Sequence, residues 1–372
     1  MKLANQTRTI SIALFICFAT TNASAQVSYE RILNSADEPE NWLTYNGGYK
    51  SQRYSQLDQI TPENVTDLKL QWTLQNQVFG AWQSNPIVVD GIMYITERPN
   101  SVMAVDAITG RVFWKYRHVP AENALICCGA NNRGVAVLDD KVFMGTLDAR
   151  LVALDRVTGS ALWDVEVGDV DLAYSVTMAP LVVKDKVIVG VGGGEFGIRG
   201  YVAAYDAETG EEAWKTYTIP GPGEPNHDSW EGDDWQHGGA PVWITGSFDA
   251  ELNLTYWGVG NPGPDWNAGQ RPGDNLYSDS VIALDADTGE LKWHFQFTPN
   301  DAYDYDAVQV PVLADIVWRG TPSKIMMWAN RNGYFYVLDR VTGEFLEGKP
   351  YVTVNWSSGL DENGRPIPTP QP

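Results

Sequence analysis

The side chains that could do chemistry in this chain fall in a few short stretches. The first is ALICCGANNRG, residues 124–134, where Cys127 and Cys128 stand side by side and Arg133 follows. A bridge between adjacent cysteines closes no loop and sits outside the usual Cα separation, so it is a poor staple. A bridge, a metal-binding pair and a reactive thiol all remain open to them. The second stretch, GVGGGEFGIRG (190–200), strips side chains from the backbone just before Glu195. That suits a flat ligand or a metal lying against the chain. In the third, YWGVGNPGPDWN (256–267), a strand runs into Asn261, which alone reads as a turn residue before a Pro-Gly-rich loop.

The fourth stretch, TPNDAYDYDAVQ (298–309), holds Asp301, Asp304 and Asp306. In an extended chain Asp304 and Asp306 point the same way, and two like charges on one face are useful where a cation sits between them. Carboxylates with an amide oxygen are hard ligands, suited to calcium or a trivalent ion and ill suited to zinc. Arg133 and Arg331 could each counter an acidic cofactor or pair with a surface carboxylate. The four histidines form no HExxH constellation, and no serine elbow or phosphate loop is present. GVGGGEFG lacks the strand–glycine–helix context of a dinucleotide site.

The elements that must position these residues are announced by a repeat. AVDAITGRVFW (104–114), ALDRVTGSALW (153–163), AYDAETGEEAW (204–214) and ALDADTGELKW (283–293) superimpose without gaps, and VLDRVTGEFLE (337–347) lacks only the closing tryptophan. A strand ends at the aspartate, whose carboxylate can cap the turn, and Thr-Gly supplies the reversal. The next strand carries the tryptophan into a packing interface. Between the marks lie short alternating strands, as in NPIVVDGIMYIT (85–96) and APLVVKDKVIVGVG (179–192). A unit of four strands predicts an all-β protein, a β-propeller, with about five blades represented and a long insertion at 221–239.

Charge and leader bound the setting. The opening MKLANQTRTISIALFICFATTNASAQ has a weakly basic start, an apolar run and a small-residue Ala23-Ser24-Ala25 site. It predicts a signal peptide over 1–25, which would remove Cys17 and leave an even pair of cysteines in a compartment where disulfides persist. The even count favours the bridge. With 26 basic against 47 acidic residues, the net charge of -21 argues against nucleic acid and anionic membranes as partners.

Together the repeat, the cysteine pair and the acidic sites resemble the quinoprotein alcohol dehydrogenases of the methanol and ethanol class. These are eight-bladed propellers of four-stranded blades that use pyrroloquinoline quinone (PQQ). The resemblance runs from NWLTYNGGYKSQRYSQLDQITPENVTDLKLQW (41–72) onward. It implies that residues 26–372 form a quinoprotein propeller domain, C-terminally incomplete. It also implies a vicinal Cys127–Cys128 disulfide on one face of the quinone and Trp243 on the other. Arg133 would contact the cofactor's carboxylates, with Thr177, Gly193 and Gly194 lining it. Gln83 stands where the methanol enzymes carry a glutamate facing the cofactor, and Pro241 stands near a threonine that binds it.

The resemblance further implies Glu195, Asn261 and Asp304 as metal ligands. Asp304 would also be the catalytic base, with Arg331 beside the reactive carbonyl. Asp306 falls where calcium enzymes have alanine, as in the lanthanide-dependent branch, so it joins the ligands and a lanthanide is favoured over calcium. The implied activity is periplasmic oxidation of primary alcohols to aldehydes, with electrons passed to a cytochrome c. The expected partners are a small primary alcohol, that cytochrome and a second copy in a homodimer, with no membrane span. Two alternatives stand beside it. A non-enzymatic propeller scaffold of envelope assembly would share the repeat but need neither the cysteine pair nor the acidic set. A quinoprotein acting on sugars or polyols would normally dispense with the pair.

Overall fold

Each Asp-x-x-Thr-Gly segment closes the last hairpin of a four-stranded antiparallel sheet. In a computed structural model that describes residues 26–369, the first sheet runs Ile87–Val89, Ile92–Glu97, Ser101–Asp106 and Val112–Arg117 in meander order. Four more sheets of the same plan occupy residues 136–166, 181–217, 247–296 and 312–350. A two-stranded hairpin, Ser357–Leu360 with Pro366–Pro368, follows. The all-β expectation and the five marked units are both met among the described residues. The expected signal peptide lies outside them. The one α-helix among them is Tyr29–Leu33, and none of their helices is long and apolar enough to cross a membrane.

The turn chemistry is local. Asp106 Oδ1 accepts from the Ile108 and Thr109 amides at 2.9 and 3.0 Å, and the Gly110 amide donates to the Asp106 carbonyl at 2.8 Å. Asp155, Asp206, Asp285 and Asp339 repeat the pattern. The glycine that follows has φ near +74° at Gly110 and +72° at Gly159, a region that costs other residues strain. It also meets an indole. A Cβ on Gly159 would lie 2.5 Å from the Trp114 ring of the preceding sheet, and Trp114 Nε1 donates to the Arg156 carbonyl at 3.1 Å. Trp163 and Trp214 dock on Gly210 and Gly289 in the same way. Trp72, outside the repeat, docks on Gly110 and donates to Ala107.

In the first four sheets the first three strands bury most of their side chains, and the fourth strands Val112–Arg117 and Ala161–Glu166 alternate and end exposed, whereas in the fifth sheet Val312–Trp318 is largely uncovered. Residues 26–52 cross the ends of the sheets' first strands. Val27 bridges Asp139 and Trp42 bridges Val88. Tyr49 Oη donates to the Val182 carbonyl at 2.8 Å, while the Phe248 and Leu313 amides donate to Tyr49 and Lys50. This strap therefore touches all five sheets at one end. The long gap between the third and fourth marks holds two loops. One is the expected insertion, within residues 218–246, and the other is 259–279, which carries Asn261.

Candidate active site

A meander fixes which end its loops share: first-to-second and third-to-fourth turns lie at one end, second-to-third turns and sheet-to-sheet crossings at the other. The strap and the Thr-Gly turns take the first end. The chemical residues take the second. Cys127, Cys128 and Arg133 lie in the crossing 118–135, Thr177 in 167–180, Trp243 in 218–246, and Asp304 and Asp306 in 297–311. Glu195, Asn261 and Arg331 lie in the second-to-third turns of three different sheets. Only Gln83 stands apart, exposed on the segment before the first sheet and without a hydrogen bond among the described residues.

Cys127 and Cys128 are bonded, with an S–S distance of 1.95 Å, and Cys128 Sγ lies 3.9 Å from Glu195 Oε1. The base of their loop is pinned by Asp148, buried in the neighbouring sheet. His118 Nε2 sits 2.8 Å from Asp148 Oδ1, and the Ala121 amide donates to Oδ2 at 3.0 Å. Burial pushes the Asp148 carboxyl up, but the hydrogen bonds from His118 and Thr146 and the Ala121 amide outweigh it and bring it down to about 2. Arg133 is held by the Thr177 carbonyl, and its guanidinium lies over the Trp243 ring, 4.6 Å from the centroid. It has no ion-pair partner among the described residues, and burial lowers its affinity for its proton. A half-buried, unpaired cation over an indole fits a planar polyanion.

Gly193 and Gly194 are close-packed: a Cβ on Gly193 would meet the Ala173 carbonyl at 2.3 Å, and one on Gly194 would meet Pro241 at 2.9 Å. They set Glu195 at the loop tip. Asp306 ties the rest together. Its Oδ1 accepts from Trp243 Nε1 at 3.2 Å and from the Asn261 amide at 3.1 Å, and its Oδ2 pairs with Arg331 at 3.1 Å. Gly260 makes room for it, since a Cβ there would lie 2.5 Å from Oδ1. The expected extended run from Asp304 to Asp306 is not what forms. Both residues adopt left-handed backbone, at φ 59° and 49°, and Asp306 turns inward while Asp304 stays half-buried.

The charges are poorly balanced. Burial and then Asp304 raise the Asp306 carboxyl to about 7, against the pull of Trp243, Asn261 and Arg331. Burial, then Asp265 and Asp304, raise Glu195. Burial and Asp265 also raise Asp304, with Arg331 opposing. An all-oxygen donor set with excess negative charge fits a hard cation and not zinc. The predicted ligands are nevertheless not drawn into one tight group. Among the described residues, the cluster of ligand atoms close enough to share an ion is Cys127, Cys128 and Glu195, whose sulfurs are already bonded to each other. Asp306 spends its oxygens on Trp243 Nε1, the Asn261 amide and Arg331. Asp265, which the sequence reading passed over, belongs to this group through its hydrogen bond to Asn261 Nδ2 at 2.7 Å.

Five successive four-stranded antiparallel sheets, with an unpaired guanidinium and a group of carboxylates gathered in the loops at one end, define the class of domain. Residues 42–360 match the family described as PQQ: glucose/ethanol/alcohol dehydrogenase, beta-propeller domain, and the chain belongs to that family. It is 45% identical to the quinohemoprotein alcohol dehydrogenase ADH-IIG of Pseudomonas putida, over 97% of this chain and 53% of that one. It is 41% identical to the quinoprotein alcohol dehydrogenase PedH of Pseudomonas putida, over 96% of this chain and 63% of that one. Among solved structures, ADHIIG from Pseudomonas putida HK5 superimposes with a TM-score of 0.89 at 44% identity, over 94% of this chain and 54% of that one. A europium-containing methanol dehydrogenase gives 0.87 at 39% identity, over 91% and 63%. The chain thus spans about half to three-fifths of the length of these relatives.

Proposed function

We propose that the protein oxidises primary alcohols to aldehydes in the periplasm with PQQ and one bound cation, passing electrons to a cytochrome c. The observation that carries the reading is the convergence at one end of five successive sheets of the Cys127–Cys128 bridge, the Arg133–Trp243 stack and the Asp306 hub, in a member of this family. The finer reading of the fold is an eight-bladed propeller. Trp243 and the disulfide would hold the quinone plane, with Thr177, Gly193 and Gly194 beside it and Arg133 on a carboxylate. Glu195, Asn261, Asp304 and Asp306 would hold the cation, and the extra carboxylate of Asp306 favours a lanthanide over calcium.

When bound, PQQ supplies a two-electron acceptor and the cation supplies Lewis acidity. The remaining work falls to the chain. Asp304, half-buried and raised by desolvation, takes the hydroxyl proton of the alcohol as general base. Arg331, steered by Asp306, stabilises negative charge that develops on oxygen. The Trp243 Nε1–Asp306 bond keeps the aromatic floor in register with both groups.

The test is reconstitution of the metal-free full-length protein with PQQ and either lanthanum or calcium, followed by dye-linked oxidation of ethanol. Activity with lanthanum that Asp306→Ala abolishes supports the reading. Inactivity with both metals ends the enzyme reading, and calcium activity that Asp306→Ala leaves unchanged ends the lanthanide preference.

A further inference from the structure

The loop 259–279 carries one carboxylate that neither the repeat nor the resemblance singles out. Asp265 Oδ1 accepts from Asn261 Nδ2 at 2.7 Å, and the same amide nitrogen reaches the Pro262 carbonyl at 3.4 Å. The nitrogen side of the Asn261 amide is thereby occupied, leaving its carbonyl oxygen as the free ligand atom. Asn261 is buried and its backbone amide is fixed on Asp306, so the side chain has little freedom except the flip that Asp265 opposes.

Asp265 is itself anchored. Arg271, fully buried, donates from Nε to the Pro264 carbonyl at 3.3 Å and from Nη2 to the Asp265 carbonyl at 3.2 Å. The same Nη2 also bonds the Asp301 carbonyl in the loop that carries Asp304 and Asp306. One guanidinium thus joins the Asn261 loop to the aspartate loop. Through its bond to the Asn261 amide, the Asp265 carboxylate stands directly behind one proposed ligand.

We propose that Asp265 is a positioning residue for the bound cation: it presents the carbonyl oxygen of Asn261 and adds an outer negative charge that favours a trivalent over a divalent ion. This inference rests on the metal-binding reading above. Groups that orient ligands from behind alter metal affinity about 10–100-fold when removed. A fixed outer charge acts in proportion to the charge of the ion, so its loss weakens a 3+ ion more than a 2+ ion.

The probe is terbium, whose luminescence is sensitised by nearby tryptophan, titrated into the metal-free full-length protein, with calcium measured by competition. Asp265→Ala should weaken both ions about 10–100-fold. Asp265→Asn keeps a hydrogen-bond acceptor and removes the charge, so it should cost terbium affinity more than calcium affinity. Wild-type terbium affinity in Asp265→Ala overturns the inference. Equal losses for the two ions in Asp265→Asn overturn its selectivity part. A wild-type protein that binds neither ion overturns the metal reading itself and is told apart from both.

Discussion

Gly159→Ala tests whether neighbouring sheets are held by the tryptophan dock. The residue sits at φ +72°, where a Cβ costs about 1–2 kcal/mol of backbone strain. The new methyl would also lie 2.5 Å from Trp114 Cε3, and a rigid indole cannot yield as a flexible tip would. Overpacking of this kind costs about 1–3 kcal/mol. Displacing the ring also weakens the Trp114 Nε1 bond to the Arg156 carbonyl, worth about 0.5–1.5 kcal/mol. The expected loss is about 2.5–6.5 kcal/mol in all. Gly91→Ala is the control, because it has φ +76° and nothing within 4 Å of its Cβ position. It should lose only the backbone part, about 1–2 kcal/mol. Urea unfolding of the full-length protein, followed by circular dichroism, reads both. Equal destabilisation by the two substitutions would refute the dock as a source of stability.

Two further outcomes follow from the site. Asp148→Asn should weaken the hold on the loop that carries Cys127 and Cys128, lowering stability by about 1.5–3 kcal/mol for the lost charged hydrogen bonds, as read by thermal unfolding at neutral pH. The Asp148 carboxyl is depressed to about 2 in the folded chain, so its contribution is present above its ordinary value of 3.8 and is lost as pH falls from there through about 2. An acid-unfolding curve of Asp148→Asn should therefore lose its difference from wild type at the low end of that window. Arg133→Met should weaken PQQ binding to the metal-free full-length protein about 10-fold or more, as expected for a lost charge-assisted hydrogen bond. Tryptophan quenching measures it, and a neutral PQQ trimethyl ester should bind both forms alike.

The repeat was readable in the sequence because each of its residues has a local task. Asp106 caps its own turn, Gly110 takes the left-handed bend, and the spacing to Trp114 is set by the hairpin register. Trp72 does the same work as Trp114 but has no Thr-Gly turn four residues before it, so no motif marks it. The pairing of His118 with Asp148 joins a crossing to an inner turn of the next sheet and leaves no periodic trace. Asp265 is only four residues from Asn261, yet it reads as one more polar residue of a Pro-Gly-rich loop until the fold turns its carboxylate onto the Asn261 amide. The extended reading of the Asp304–Asp306 run failed for a related reason. Alternation predicts side-chain direction only in a strand, and here Trp243, Asn261 and Arg331 hold Asp306 in a left-handed turn.

The most direct test of the central claim is a single turnover. The full-length protein loaded with PQQ and lanthanum is mixed with ethanol in the absence of any electron acceptor, and the quinone absorbance and acetaldehyde are followed together. Loss of the quinone band with one aldehyde formed per cofactor is expected, slowed by Asp304→Asn. Unchanged quinone absorbance with no aldehyde, in protein shown to hold both PQQ and metal, would contradict it.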